Sequence, residues 1–249
     1  MLVGEYTRPK TVAWGWKGIL AWTALIAVTF VLTQIVAAII YLVATDQVAS
    51  PLQQHELARL MADGDAVAVS TWSTLVVCGL LVIVAVSAKA GANINHYLGF
   101  KSASWRAYVL AVIVIVVFGV IVELLNQVFE RPIPQSMMQM YQSADNRLLF
   151  CLAIVIAAPA FEELFFRGFL LTSIEASRLG LAGAIVISSA LWAIIHLQYD
   201  TYEVGIIFVM GIVLGLARQV TGSLYVPIVM HALNNLISTV QIYYSLAPT

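Results

Sequence analysis

The chain has 249 residues, 61% of them hydrophobic and 10% charged, with a formal net charge of −1 and a mean hydropathy of +0.94. That balance excludes a water-soluble globule and gives no electrostatic ground for a nucleic-acid partner. Apolar runs of span length recur along most of the chain. They are too long and too uniformly apolar for barrel strands, so the fold class is all-α: a polytopic transmembrane helical bundle of about seven spans, with six to eight as the admissible range. Both cysteines, Cys78 and Cys151, fall inside apolar runs and read as inert core thiols.

In chain order, residues 1–17 are polar, with Arg8, Lys10 and Lys17, and Trp14 and Trp16 mark an interface belt. The first span, 18–44, is too long for a signal-peptide core. In the polar connection 46–65, Ser50-Pro51 reads as the start of a short surface helix, and His55 as an incidental loop residue. The second span covers 66–88. A polar segment with Lys89, His96, Lys101 and Arg106 follows, His96 being read as loop surface. The third span, 107–129, carries Glu123, Asn126 and Gln127 near its end, either at the interface or lining a cavity. Pro132 and Pro134 stop it. Met137, Met138 and Met140 then form an adaptable surface, a lipid-dipping loop or a gate for a peptide.

The fourth span, 148–171, contains Pro159, where a kink is expected. The fifth covers 181–197. The short sixth, 203–217, has Gly211 and Gly215 at the spacing that lets helices approach closely. The last covers 224–244. Lys and Arg counts favour a cytoplasmic N-terminus: Arg8, Lys10, Lys17, Lys89, Lys101, Arg106, Arg178 and Arg218 fall on one side, against Arg59, Arg131 and Arg147 on the other. The expected organisation is an N-terminal set of spans and surface segments over 1–147 and a catalytic membrane core over 148–249. The compact chain fits a bacterial inner membrane, crossed several times.

The chemistry concentrates in three places. Glu162, Glu163 and Arg167 lie inside the fourth span, where charges are costly and mark function by default. Glu163 and Arg167 are four apart and can pair on one helix face, which leaves Glu162, rotated by about 100°, as the free carboxylate. In the fifth span His196 shares a face with Trp192, and in the last His231 shares one with Asn235. A carboxylate and a histidine can together deprotonate a water, and a second histidine with an amide can donate to an oxyanion. The same Glu162, His196 and His231 could instead ligate zinc, but the chain has no His-Glu-x-x-His. Two other classes compete: a proton or ion translocator built on these buried groups, and a catalytically silent scaffold of the same fold.

The motifs carry a family resemblance. Glu162-Glu163-x-x-x-Arg167, an aromatic-x-x-x-His at Trp192 and His196, and His231-x-x-x-Asn235 follow one another in order. In this the chain resembles the CPBP family of intramembrane proteases, whose eukaryotic relatives are the type II CAAX prenyl endopeptidases. The resemblance implies an endopeptidase acting on a membrane-bound protein or peptide, in contact with the lipid bilayer. Glu162 and His196 would activate water, and His231 and Asn235 would form the oxyanion site. It favours a metal-independent glutamate mechanism over zinc. Trp192 stands where the family has phenylalanine and is expected to keep an aromatic wall of the substrate pocket. One geometric demand remains: with the spans above, Glu162 lies deep and His196 near the outer edge, so the two meet only if helices tilt, kink at Pro159 or end elsewhere.

Overall fold

A computed structural model describes residues 12–45, 62–196 and 198–246. The described residues are all-helical, without a strand. Nine helical units follow one another: α1 (Trp16–Ala44), α2 (Gly64–Ser87), α3 (Ile94–Leu98), α4 (Trp105–Val128), α5 (Gln135–Ser143), α6 (Arg147–Glu175), α7 (Gly180–Ile194), α8 (Thr201–Thr221) and α9 (Tyr225–Leu246). Five of them, α1, α2, α4, α6 and α8, are long and apolar enough to cross a membrane, and α7 is a shorter apolar helix. The protein is thus a polytopic helical bundle whose long helices occupy the expected runs. The surface helix at Ser50-Pro51 and His55 lie outside the described residues.

Local chemistry sets the boundaries. Asp63 caps α2 by accepting from the Ala66 amide, Ser104 caps α4 through Ala107, and Asp200 caps α8 in a reciprocal capping box with Glu203. Gly222 ends α8 in the left-handed conformation at φ 63°. The sixth run is longer than its hydropathy implied, because this box starts the helix at Thr201 and Arg218 continues inside it. The Met-rich segment is a helix, α5, whose Met137, Met138 and Met140 pack on a small cluster with Tyr141, Phe150 and Ile242. The polar segment after α2 also departs from a plain loop. Asn93 caps α3, which buries Tyr97 and Leu98 completely.

The main core draws on both halves of the chain. Ile26, Val82, Tyr97 and Leu98 pack with Phe165, Phe169, Leu171, Trp192 and Leu214. α7 and α8 meet through the two glycines of α8: a methyl group at Gly211 would fall 2.8 Å from Ser189 Cβ, and one at Gly215 would fall 3.3 Å from Ile185. Only Ala111 and Ile115 are buried along α4, whose remaining apolar face is what a lipid-facing span presents.

The two ends of the bundle differ in charge. At one end the Trp14 indole donates to the Ala85 carbonyl at 2.9 Å, Lys89 lies over the Trp14 ring, and Trp14, Trp16 and Arg178 line a shared cleft. There too Leu224 N donates to Gly99 O and Ser223 Oγ to Lys101 O. At the other end, Asp65 accepts from the Asp145 and Asn146 amides, and Arg131 pairs with Asp200 and Glu203.

Candidate active site

The helix that carries the acid pair is not a regular α-helix. α6 opens into wide π turns at Ala153–Ala157 and again at Leu164–Leu170, with an α-helical piece, Ala158–Glu163, between them. The first follows from Pro159. Proline has no N–H and its ring crowds the carbonyl four residues back; the wide turn, with the Ala158 amide reaching Ala153 O, accommodates it. Such turns inside α-helices are frequent at functional sites. Here they fix the heading of two groups of atoms. The widened turn presents Ile154 O to the Asn235 amide at 3.0 Å, and the second lies directly after Glu163.

Glu163 and Arg167 form the expected pair, fully buried, with Nη1 to Oε1 at 2.9 Å. Arg167 also donates from Nη2 to Gly211 O at 3.2 Å, and its guanidinium carbon lies 4.4 Å from the centre of the Trp192 ring. The spacing did not reveal a third member. His231 Nδ1 sits 3.0 Å from the same Glu163 Oε1, so α9 is joined to α6 through the ion pair. A carboxylate oxygen only accepts, so Nδ1 carries the proton and Nε2 faces away from Glu163.

Glu162 is turned from this pair and half-buried. Its Oε2 accepts from the Trp192 indole N–H at 2.5 Å. His196, also half-buried, directs Nδ1 at Trp192 O at 2.7 Å; a carbonyl only accepts, so this nitrogen is protonated and Nε2 is the free one. Trp192, 1% exposed, is at the centre of these contacts. Its ring meets the His196 ring edge-on at 5.2 Å and the His231 ring edge-on at 5.1 Å, between centroids. Glu162, His196 and His231 therefore meet one indole, drawn from α6, the end of α7 and α9, while Asn235, four residues after His231, is held by Ile154 O.

The depth problem resolves through helix lengths. α7 has 15 residues, so it rises only about 22 Å, short of a hydrocarbon core of about 30 Å. It ends at Ile194, not at 197. α6, with 29 residues, is nearly twice as long in sequence. Glu162 and Trp192 lie at similar sequence distances from the 176–179 connection and are joined by a hydrogen bond, with His196 following Trp192 just past the helix end.

Two features of the α7–α8 connection were not legible as site features. The Tyr199 amide donates to His196 O at 3.2 Å, and its ring stacks on the imidazole at 6.2 Å with planes 19° apart. Burial pushes the Tyr199 phenol up to about 12, and the Glu162 charge adds to the shift. Next to it the Arg131 guanidinium grips Asp200 and Glu203 and lies 4.9 Å from the Tyr202 ring centre. The only clue in the sequence was that Tyr199 follows His196 by three residues.

A zinc site would need Glu162, His196 and His231 to converge. Among the described residues no three His, Cys, Asp or Glu side chains form such a group. The indole stands between the two imidazoles.

No curated protein and no solved structure matches the chain. A family model described as Type II CAAX prenyl endopeptidase Rce1-like matches residues 144–237. That stretch contains Glu162, Glu163, Arg167, Trp192, His196, His231 and Asn235. The segment that builds the site is thus similar to the type II CAAX prenyl endopeptidases of the Rce1-like family, in line with the resemblance that the three motifs carry.

Proposed function

We propose that the protein is a metal-independent intramembrane endopeptidase that hydrolyses a peptide bond in a membrane-anchored protein or peptide. The observation that carries this reading is the separation of the two carboxylates. Glu163 is sealed behind the site by Arg167 and His231, while Glu162 and His196 converge, half-buried, around the Trp192 indole.

His196 Nε2 is a proton acceptor, because Nδ1–H is committed to Trp192 O. Glu162 keeps one oxygen free of the indole. A water held by these two loses a proton as its oxygen attacks the scissile carbonyl carbon. The carbonyl π electrons become an oxyanion, which His231 Nε2–H and the second N–H of the Asn235 amide receive. In that role His231 carries both ring protons, with Nδ1–H turned to Glu163. Collapse of the tetrahedral species breaks the C–N bond, and the proton taken from water passes to the departing amine. The protein sits in a bacterial inner membrane with its N-terminus in the cytoplasm and its Lys- and Arg-rich end facing the same side.

The test uses purified protein in lipid nanodiscs with a membrane-anchored peptide reporter, a lipidated CAAX-type C-terminus being the first probe. Glu162→Gln should lower cleavage by about 10²–10⁴-fold with unchanged thermal melting. Undiminished cleavage by that variant would exclude Glu162 as the base. Wild-type activity should survive chelation; activity lost to a chelator and restored by zinc would remove the metal-independent mechanism.

A further inference from the structure

We infer that Tyr199 is a positioning residue, which holds the His196 imidazole in its water-facing orientation by stacking on it. The inference rests on the reading of His196 as a base. His196 needs such support because of where it stands. α7 ends at Ile194, so the helix does not hold the side chain on both sides. Its Nδ1 is tied to Trp192 O at 2.7 Å and one edge is met by the Trp192 ring. Those two contacts leave the ring free to tilt about its hydrogen bond. Tyr199 closes that freedom. Its amide bonds His196 O at 3.2 Å, folding the chain back, and its ring lies nearly parallel to the imidazole at 6.2 Å.

The ring itself is held from the next residue onward. Asp200 is both the cap of α8 and a partner of Arg131, so the connection carrying Tyr199 is fastened to α4's end as well as to α8. Parallel offset packing is a preferred arrangement of two aromatic faces, and a phenylalanine would preserve it. A misdirected base weakens the chemical step more than substrate binding.

The experiment compares Tyr199→Phe, Tyr199→Leu and His196→Ala in the full chain in nanodiscs, measuring kcat and KM on the lipidated reporter together with thermal melting. The expected result is kcat within twofold of wild type for Phe, and about tenfold or more below it for Leu, with KM within twofold for both. Three results would overturn the inference: kcat for Leu equal to wild type, a change confined to KM, or equal loss in Phe and Leu at unchanged melting, which would assign the role to the hydroxyl. His196→Ala separates the two readings. If it retains full activity, the proposed base is wrong. If it is inactive while Leu is unaffected, only the role of Tyr199 falls.

Discussion

α4 and α6 are both apolar helices of span length, yet they solve different problems. α4 is regular from Trp105 to Val128 and buries only Ala111 and Ile115. Its sequence needs little beyond hydrophobicity, because lipid is an undemanding neighbour. α6 buries Glu163, Arg167 and every residue from Leu164 to Ile174, and it departs from α-helical geometry twice. In α4 almost any apolar side chain serves; in α6 both the side chains and the wide turns are tied to partners on other helices. A hydropathy profile sees the two as equals.

The contrast can be broken most directly at Arg167. Arg167→Ala leaves Glu163 buried without its cation and should destabilise the protein by about 3–5 kcal/mol. Val117→Ala on the exposed face of α4 should stay within about 0.5 kcal/mol. Chemical or thermal unfolding in detergent measures both; equal effects would erase the distinction. Pairing Arg167→Met with Glu163→Gln should recover part of the loss, because the stranded charge goes with its partner.

The next effect concerns how α6 is fastened at the end that meets α3. Thr172 Oγ1 donates to Tyr97 O at 3.1 Å, Ser173 Oγ meets Tyr97 Oη at 2.5 Å, and Leu98 lies against Gly168. Behind α3, Gly99 adopts φ 77°, and a methyl group there would come 2.4 Å from Arg218 Nη2. Gly99→Ala should cost about 2–4 kcal/mol, from the left-handed backbone together with the displaced guanidinium. A melting temperature unchanged by that substitution would show that α6 does not depend on α3.

The smallest effect is at the opposite end, where Arg131 links α4 to α8. The Glu203 side chain and then the Arg131 guanidinium hold the Asp200 carboxyl well below the usual carboxylate range. A depressed folded value stabilises above the unfolded pKa of about 3.9 and is lost as pH falls through the folded one. Melting should therefore be insensitive to this cluster from neutrality down to about pH 4 and fall below it. Asp200 is exposed, so Arg131→Ala should flatten that acid limb only slightly, and added salt should do the same.

Much of this was readable beforehand, for physical reasons that differ by residue. The long helices follow hydropathy, because lipid imposes it locally. Glu163–Arg167 follows from a spacing of four on one helix. The glycines of α8 follow from spacing too, although only the structure identifies Ser189 and Ile185 as what they admit. What stayed hidden depends on residues far apart in sequence. Glu163 serves His231, 68 positions away, and Trp192 serves Glu162, 30 away. The burial of Tyr97 was missed because five residues are too few for a periodic signal. The end of α7 was set too late because Ile195 and Leu197 are apolar, although the helix had already stopped.

The brevity of α7 has a consequence for the surrounding lipid. A helix of about 22 Å cannot match a hydrocarbon layer of about 30 Å, and the mismatch is met by a dimpled bilayer or by water drawn down beside the helix end. Either response would bring the aqueous phase towards His196, as the proposed hydrolysis requires. The membrane becomes part of the reaction conditions: lipids with longer acyl chains deepen the dimple and raise its elastic cost, and shorter chains relieve it. Turnover should accordingly follow acyl-chain length, and the host membrane's thickness would tune the enzyme without any ligand.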